Sequence, residues 1–197
     1  KKRQRCMALP FLSPAKAGVR RMESYRTPPN AATAEWVQRR SRFIAALRPA
    51  ASEAEAAAFI AERRRLHWDA RHHVYAYALR DGQTRRYSDD GEPQGTAGMP
   101  VLNVLLREAL TDCAVVVTRY FGGVLLGTGG LVRAYARAAR MAVSAAGVVE
   151  MRPCLRAAID CDYAQYGRVA ALAAEFGAGA PEVRYAERVT VSFTLPV

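Results

Sequence analysis

Residues 113–140 read CAVVVTRYFGGVLLGTGGLVRAYARAAR. Cys113 to Thr118 is a short, unbroken apolar and β-branched run, which suits a central strand covered on both faces. Arg119 follows at its end. Glycines at 122, 123, 127, 129 and 130 then bracket Val124-Leu125-Leu126. From Leu131 to Ala146, Leu131, Tyr135, Ala138, Ala142 and Ala145 repeat at helical spacing. A glycine loop that feeds a helix presents free amides and the positive end of the helix dipole, an environment suited to an anion. The spacing is neither that of a P-loop nor a clean dinucleotide fingerprint. Close packing of helix on strand explains the glycines equally well. Arg133, one turn beyond Gly129, can reach the same anion, whereas Arg137 and Arg140 read as solvated.

Working outward, His72 to Leu79 alternates as a strand: His73, Tyr75, Tyr77 and Leu79 share one face and His72, Val74, Ala76 and Ala78 the other. The two histidines therefore cannot ligate one metal from a regular strand. Asp81-Gly82 predicts a turn and Thr84 to Ser88 a returning strand. Ser88-Asp89-Asp90-Gly91-Glu92-Pro93 is an acidic loop. It is either a set of Asx turns or a carboxylate cluster that holds a cation or orients a ligand hydroxyl. It lacks the ligand periodicity of an EF-hand. Its carboxylates are also candidate partners for Arg119, which is otherwise solvated or aimed into a site. Gly95-Thr96-Ala97-Gly98-Met99-Pro100 enters a helix whose Val101, Leu102, Leu105 and Leu106 face a core.

Upstream, Thr33 to Gln38 and Arg42 to Leu47 read as strands, and Ser52-Glu53-Ala54-Glu55 is a capping box opening a helix to about Arg65. Residues 1–22 read as a flexible basic tail: positive charge, then a short apolar run broken by Pro10, which does not suit a signal peptide. The folded part is expected over 23–149, followed by a linker over Glu150 to Pro153. A second, smaller domain is expected over 152–197. Its order is strand, helix, strand, strand: Leu155 to Cys161, Tyr163 to Phe176, Val183 to Tyr185 and Arg188 to Leu195. That order is most of a ferredoxin-like unit and leaves it incomplete by a helix and a strand.

The chain has 197 residues, 51% of them hydrophobic, and a formal charge of +11. No window approaches the roughly 18 unbroken apolar residues of a membrane helix. The basic excess is either a solvated surface or the footprint of a polyanion, RNA above all. Cys6, Cys113, Cys154 and Cys161 form no C-x-x-C pair, so reduced cytoplasmic thiols are the default. No metal and no cofactor are expected.

His72–His73, Ser88–Pro93, Gly95–Gly98, Val117–Gly123 and Leu126–Val132 together resemble the IMPACT/YigZ family, from about Tyr25 to the C-terminus. The resemblance implies an α+β chain of two domains. The first is of the ribosomal-protein second-domain-like type, with a left-handed βαβ crossover. The second is ferredoxin-like, similar to the last domain of elongation factor G. Eukaryotic relatives are linked to translational control. Met99 stands where many relatives carry a lysine, which removes one anion contact.

Three functions compete. The first is a nucleic-acid or ribosome-associated binding protein in translational regulation. Its anion site would draw on Arg71, Thr96, Arg119, Tyr120, Gly122, Gly123, Gly127, Thr128, Gly129, Gly130 and Arg133. The second is an enzyme acting on a small phosphorylated or carboxylated substrate in the same cleft, with His72, His73, Asp89, Asp90 and Glu92 as acid, base or metal ligand. The third is a regulator that binds a protein partner through its C-terminal sheet. The reading leans to the first, with RNA or the ribosome as partner and no membrane.

Overall fold

The computed structural model describes residues 3–8, 23–80 and 83–196, the first segment and Pro196 as backbone only. Along the chain the elements are β1 (Arg3–Ala8), β2 (Tyr25–Thr27), β3 (Ala32–Gln38), β4 (Ser41–Pro49), α1 (Glu53–Leu66), β5 (His72–Ala78), β6 (Arg85–Ser88), α2 (Gly98–Arg107), β7 (Cys113–Tyr120), α3 (Thr128–Ala146), β8 (Val149–Cys161), α4 (Tyr163–Glu175), β9 (Glu182–Tyr185) and β10 (Val189–Pro196). They divide into two compact units. One comprises Tyr25–Val149; the other comprises Glu150–Val197 with the N-terminal segment.

In the larger unit the sheet order is β3-β4-β7-β5-β6, and every pairing is antiparallel. β4 and β5 both pair with β7 and so run parallel with β7 between them; α1 makes the crossover. The two-residue alternation of β7 explains its continuous apolar sequence. Cys113, Val115 and Val117 face the core shared with α2 and α3, while Ala114 and Val116 face α1. Each face needs its own apolar set, so both parities of the strand are hydrophobic. β5 obeys the same rule. Val74, Ala76 and Ala78 lie on the α2/α3 side, Tyr77 and Leu79 on the α1 side.

α1 starts where the capping box was expected. Ser52 Oγ accepts from Glu55 N at 3.2 Å, and the Glu55 carboxylate accepts from Ala51 N at 2.8 Å, one residue earlier than an ideal box. α3 begins three residues before the expected Leu131, because Thr128-Gly129-Gly130 already follow the helical path. Arg119 lies within β7 rather than after it, paired with Phe43 of β4 and His72 of β5. The strand outlasts its apolar run because ladder hydrogen bonds do not depend on side-chain polarity.

In the smaller unit the strands run β1-β8-β10-β9, with α4 packed on β10. Cys161, Ala173, Val189, Val191 and Phe193 form its core. The strand–helix–strand–strand order agrees with expectation. Three expectations change. Glu150 to Pro153 is not a linker, since β8 runs through it. Within the expected basic tail, Arg3–Ala8 is a strand; the rest of residues 1–22, like the expected Asp81-Gly82 turn, lies outside the described residues. Cys154 is disulfide-bonded, to a partner outside the described side chains, whereas Cys113 and Cys161 are free and buried. The spacing rule that suggested reduced thiols concerns cysteines close in sequence and is silent on longer-range pairs.

Leu105 of α2 is fully buried in the larger core. Leu105→Ala is expected to lower unfolding free energy by about 2–5 kcal/mol, read as a lower urea midpoint with an unchanged slope.

Candidate functional site

The acidic loop, the central strand β7 and helix α3 meet around one buried ion pair. Arg119 Nη1 donates to Glu92 Oε1 at 2.6 Å, with the two side chains 6% and 4% exposed. Tyr135 of α3 donates its hydroxyl to the same Glu92 oxygen at 2.7 Å. Burial, and then the neighbouring Glu92 charge, push the Tyr135 phenol far up, so it remains a donor. The Arg119 guanidinium also sits 5.5 Å from the ring centroids of Phe43 and Phe121. One carboxylate thereby ties the acidic loop to the central strand and to the glycine-led helix.

The rest of the acidic loop is an internal scaffold. Asp89 accepts from the amides of Gly95, Ala97 and Gly98 at 2.9, 3.0 and 2.8 Å. It caps α2 from nine residues away, in place of Ala97, which has no capping side chain. Asp90 accepts from Arg64 and from the His73 amide, each at 2.6 Å. Thr96 is buried and donates to Pro93 O, closing a turn. Turn formation thus accounts for this loop. Among the described residues no group of three or more His, Cys, Asp or Glu is placed to hold a metal ion.

A cleft of about 490 Å³ opens beside the ion pair. Arg71, His72, Glu92, Arg119, Gly127 and Thr128 line it, with Phe121 and Leu125 at its edge. Gly127 has φ +70°, which lets the chain turn sharply into α3. It offers no capping side chain, and no acidic residue occupies the helix's first turn. The first amides of α3 therefore have no intrahelical partner. Arg119 Nε is buried without a hydrogen-bond partner. The Arg133 guanidinium lies over Gly129, on the same turn.

Other expected site residues are elsewhere. Gly122 is a packing residue: a Cβ there would fall 2.0 Å from the Arg40 carbonyl carbon, and its amide donates to Ser41 Oγ. Gly123, Gly129 and Gly130 flank the cleft without lining it. His73 is buried and reaches the carbonyl of His67 through Nε2. Tyr120 joins a network the sequence reading did not anticipate. His67 Nε2 lies 2.7 Å from the Arg63 guanidinium, which can only donate, so Nε2 accepts. Nδ1 then carries the proton and donates to Tyr120 at 3.0 Å, and Tyr120 donates to Asp69 at 2.9 Å. His72, by contrast, donates Nδ1–H to the Asp90 carbonyl at 2.8 Å, which leaves its Nε2 as the ring's other nitrogen. Cys113, at 0% exposure, has its thiol pushed up to about 12 by burial and is no nucleophile.

Fold and site together define a two-unit α+β protein whose glycine-led helix and central strand close over a common cleft. The chain belongs to the IMPACT family. Residues 39–143 match the Impact N-terminal domain, and residues 159–197 match a domain of unknown function, DUF1949. It is 38% identical over 169 residues to the IMPACT family member YvyE of Bacillus subtilis, covering 85% of this chain and 78% of that one. It is 39% identical over 154 residues to the IMPACT family member YigZ of Escherichia coli, covering 77% and 76%. The crystal structure of an hypothetical protein is similar at TM-score 0.64 and 35% identity, over 89% of this chain and 86% of the other.

Burial lowers the basicity of both His67 and His73 from the ordinary 6.5, and the Arg63 charge adds to the effect at His67. Their depressed folded values mean that the unfolded chain binds protons first. Stability is therefore fully present above pH 6.5 and falls as pH drops below it. The urea midpoint should decline between pH 6.5 and about pH 5, above the carboxylate range, and the decline should shrink in His67→Gln.

Proposed function

We propose that the chain binds RNA through the cleft between β7 and α3, with a backbone phosphate held at the first turn of α3. The carrying observation is the uncapped α3 N-terminus opening onto a cleft that Arg71 and Arg119 also line. Helix amides, a positive dipole end and guanidinium groups are a phosphate-binding set. The net charge of +11 supplies long-range attraction for a polyanion. Phe121, 47% exposed, gives the rim an aromatic surface for a base. The link of eukaryotic relatives to translational control, which the sequence resemblance implies, makes the ribosome the proposed setting.

His72 supports a second reading. Its Nδ1 is fixed by a carbonyl and its other nitrogen belongs to a cleft residue, an arrangement suited to a general base. In that reading the cleft takes a small phosphorylated or carboxylated substrate. A nucleotide ordered between His72 and the α3 N-terminus after crystal soaking favours it.

RNA affinity measured by fluorescence anisotropy across a salt series tests the first reading. Affinity should fall steeply with salt. Arg71→Ala should weaken binding and reduce the log–log slope by about 1, and Thr128→Glu should weaken binding at every salt concentration. A flat salt dependence, or wild-type affinity in both variants, removes the RNA reading.

A further inference from the structure

Between α1 and β5 the chain turns through His67-Trp68-Asp69-Ala70, and Trp68 is 83% exposed. Exposure on that scale gives an indole almost no share in folding stability, since the stabilisation comes from area removed from water. A solvent-facing indole normally sits on a loose segment. This one does not. His67 N donates to Arg63 O at 3.1 Å, and Ala70 N donates to His67 O at 2.9 Å. His73 Nε2 donates to the same His67 carbonyl at 3.1 Å. The Tyr120 hydroxyl accepts from His67 Nδ1 and donates to Asp69, so both neighbours of Trp68 are tied to the central strand β7. The turn is held from both sides, and its largest side chain is left in water.

The surroundings are basic. Arg63 is spent on His67 and Arg64 on Asp90. Arg65 and Arg71 are exposed and enter none of the ion pairs found among the described residues. The nearest acid, Asp69, is occupied by Tyr120. Arg71 also lines the cleft. It follows Trp68 by three residues, so their Cα atoms are within about 11 Å. An exposed aromatic on a held turn, with unpaired arginines close by in sequence, matches the way single-stranded nucleic acid is held: bases stack and phosphates pair. A protein partner's hot spot is instead typically ringed by contacts that exclude water. Here the ring is charged, apart from Leu66, 61% exposed.

We infer that Trp68 is a stacking platform for an unpaired base of single-stranded RNA, with Arg65 and Arg71 holding the adjoining phosphates and leading the strand into the cleft. This rests on the RNA-binding reading above and extends it: the ligand is unpaired, because a base inside a duplex offers no free face to an indole at the surface.

The test uses the full chain and labelled RNA 12-mers, single-stranded and as a duplex, with tryptophan emission and anisotropy as readouts. Single-stranded RNA should quench the emission. The quench should disappear in Trp68→Phe, which leaves Trp36 under the Arg137 guanidinium as the remaining indole. Trp68→Ala should lose roughly five- to hundredfold in single-strand affinity, Trp68→Phe should retain most of it, and duplex affinity should not change in either. Melting temperatures should match wild type. If Trp68→Ala binds single strands like wild type while Arg71→Ala is weakened, the platform is wrong and the RNA reading stands. Equal losses for single strand and duplex also overturn the platform. If wild type binds neither RNA, both ideas fall.

Discussion

A carboxylate and a guanidinium taken out of water at 4% and 6% side-chain exposure set the terms for the larger unit. Isolated, either ion would destabilise the fold severely, because burial strips its hydration. Together, and with Tyr135 as a third partner, they offset much of that cost, provided the loop, the strand and the helix all keep their places. The pair is thus a constraint on geometry more than a source of stability. It fixes Glu92 against β7 and α3, and the lip of the cleft follows from that.

The remaining loop residues answer the same demand. Asp89 takes up three amides at the start of α2, and Asp90 takes Arg64 and the His73 amide. Each removes an unsatisfied donor inside the fold, where a buried unpaired amide costs about 1–3 kcal/mol. With the carboxylates committed inward, the polar groups left to the cleft are chiefly donors: the first amides of α3 and the Arg71 guanidinium. Those donors are what the proposed anion site would draw on. The carboxylates are consumed by the scaffold; the donors are not.

Much of the fold was legible because its rule is periodic. The alternation of His72 to Leu79 separated two faces, which the cores on either side of the sheet bear out. The unbroken run from Cys113 marked a strand covered on both sides. Ser52 and Glu55 announced α1. Periodicity ends where a pairing spans the chain. Nothing near Arg119 distinguishes Glu92 from Asp89 or Asp90 as its partner; the choice depends on how far the loop reaches once Asp89 is held by α2. Tyr120 was expected at the anion site, and only the return of the α1–β5 turn to β7 shows its hydroxyl between His67 and Asp69. Trp68 drew no notice because exposure is not written in a turn's sequence. The β1 strand was missed because sheet pairing between distant segments leaves no local signature, and the Cys154 disulfide because the spacing rule covers only cysteines close in sequence.

Glu92 and Arg119 act as one unit, and a double-mutant cycle measures their coupling. Unfolding free energies would be compared for wild type, Glu92→Gln, Arg119→Met and the double variant. Each single change should cost about 3–5 kcal/mol by leaving a charge buried alone. The double variant should cost clearly less than the two together, with a coupling of about 2 kcal/mol or more. Costs that add to within about 0.5 kcal/mol would show that the two side chains stabilise the fold independently, and would contradict the account.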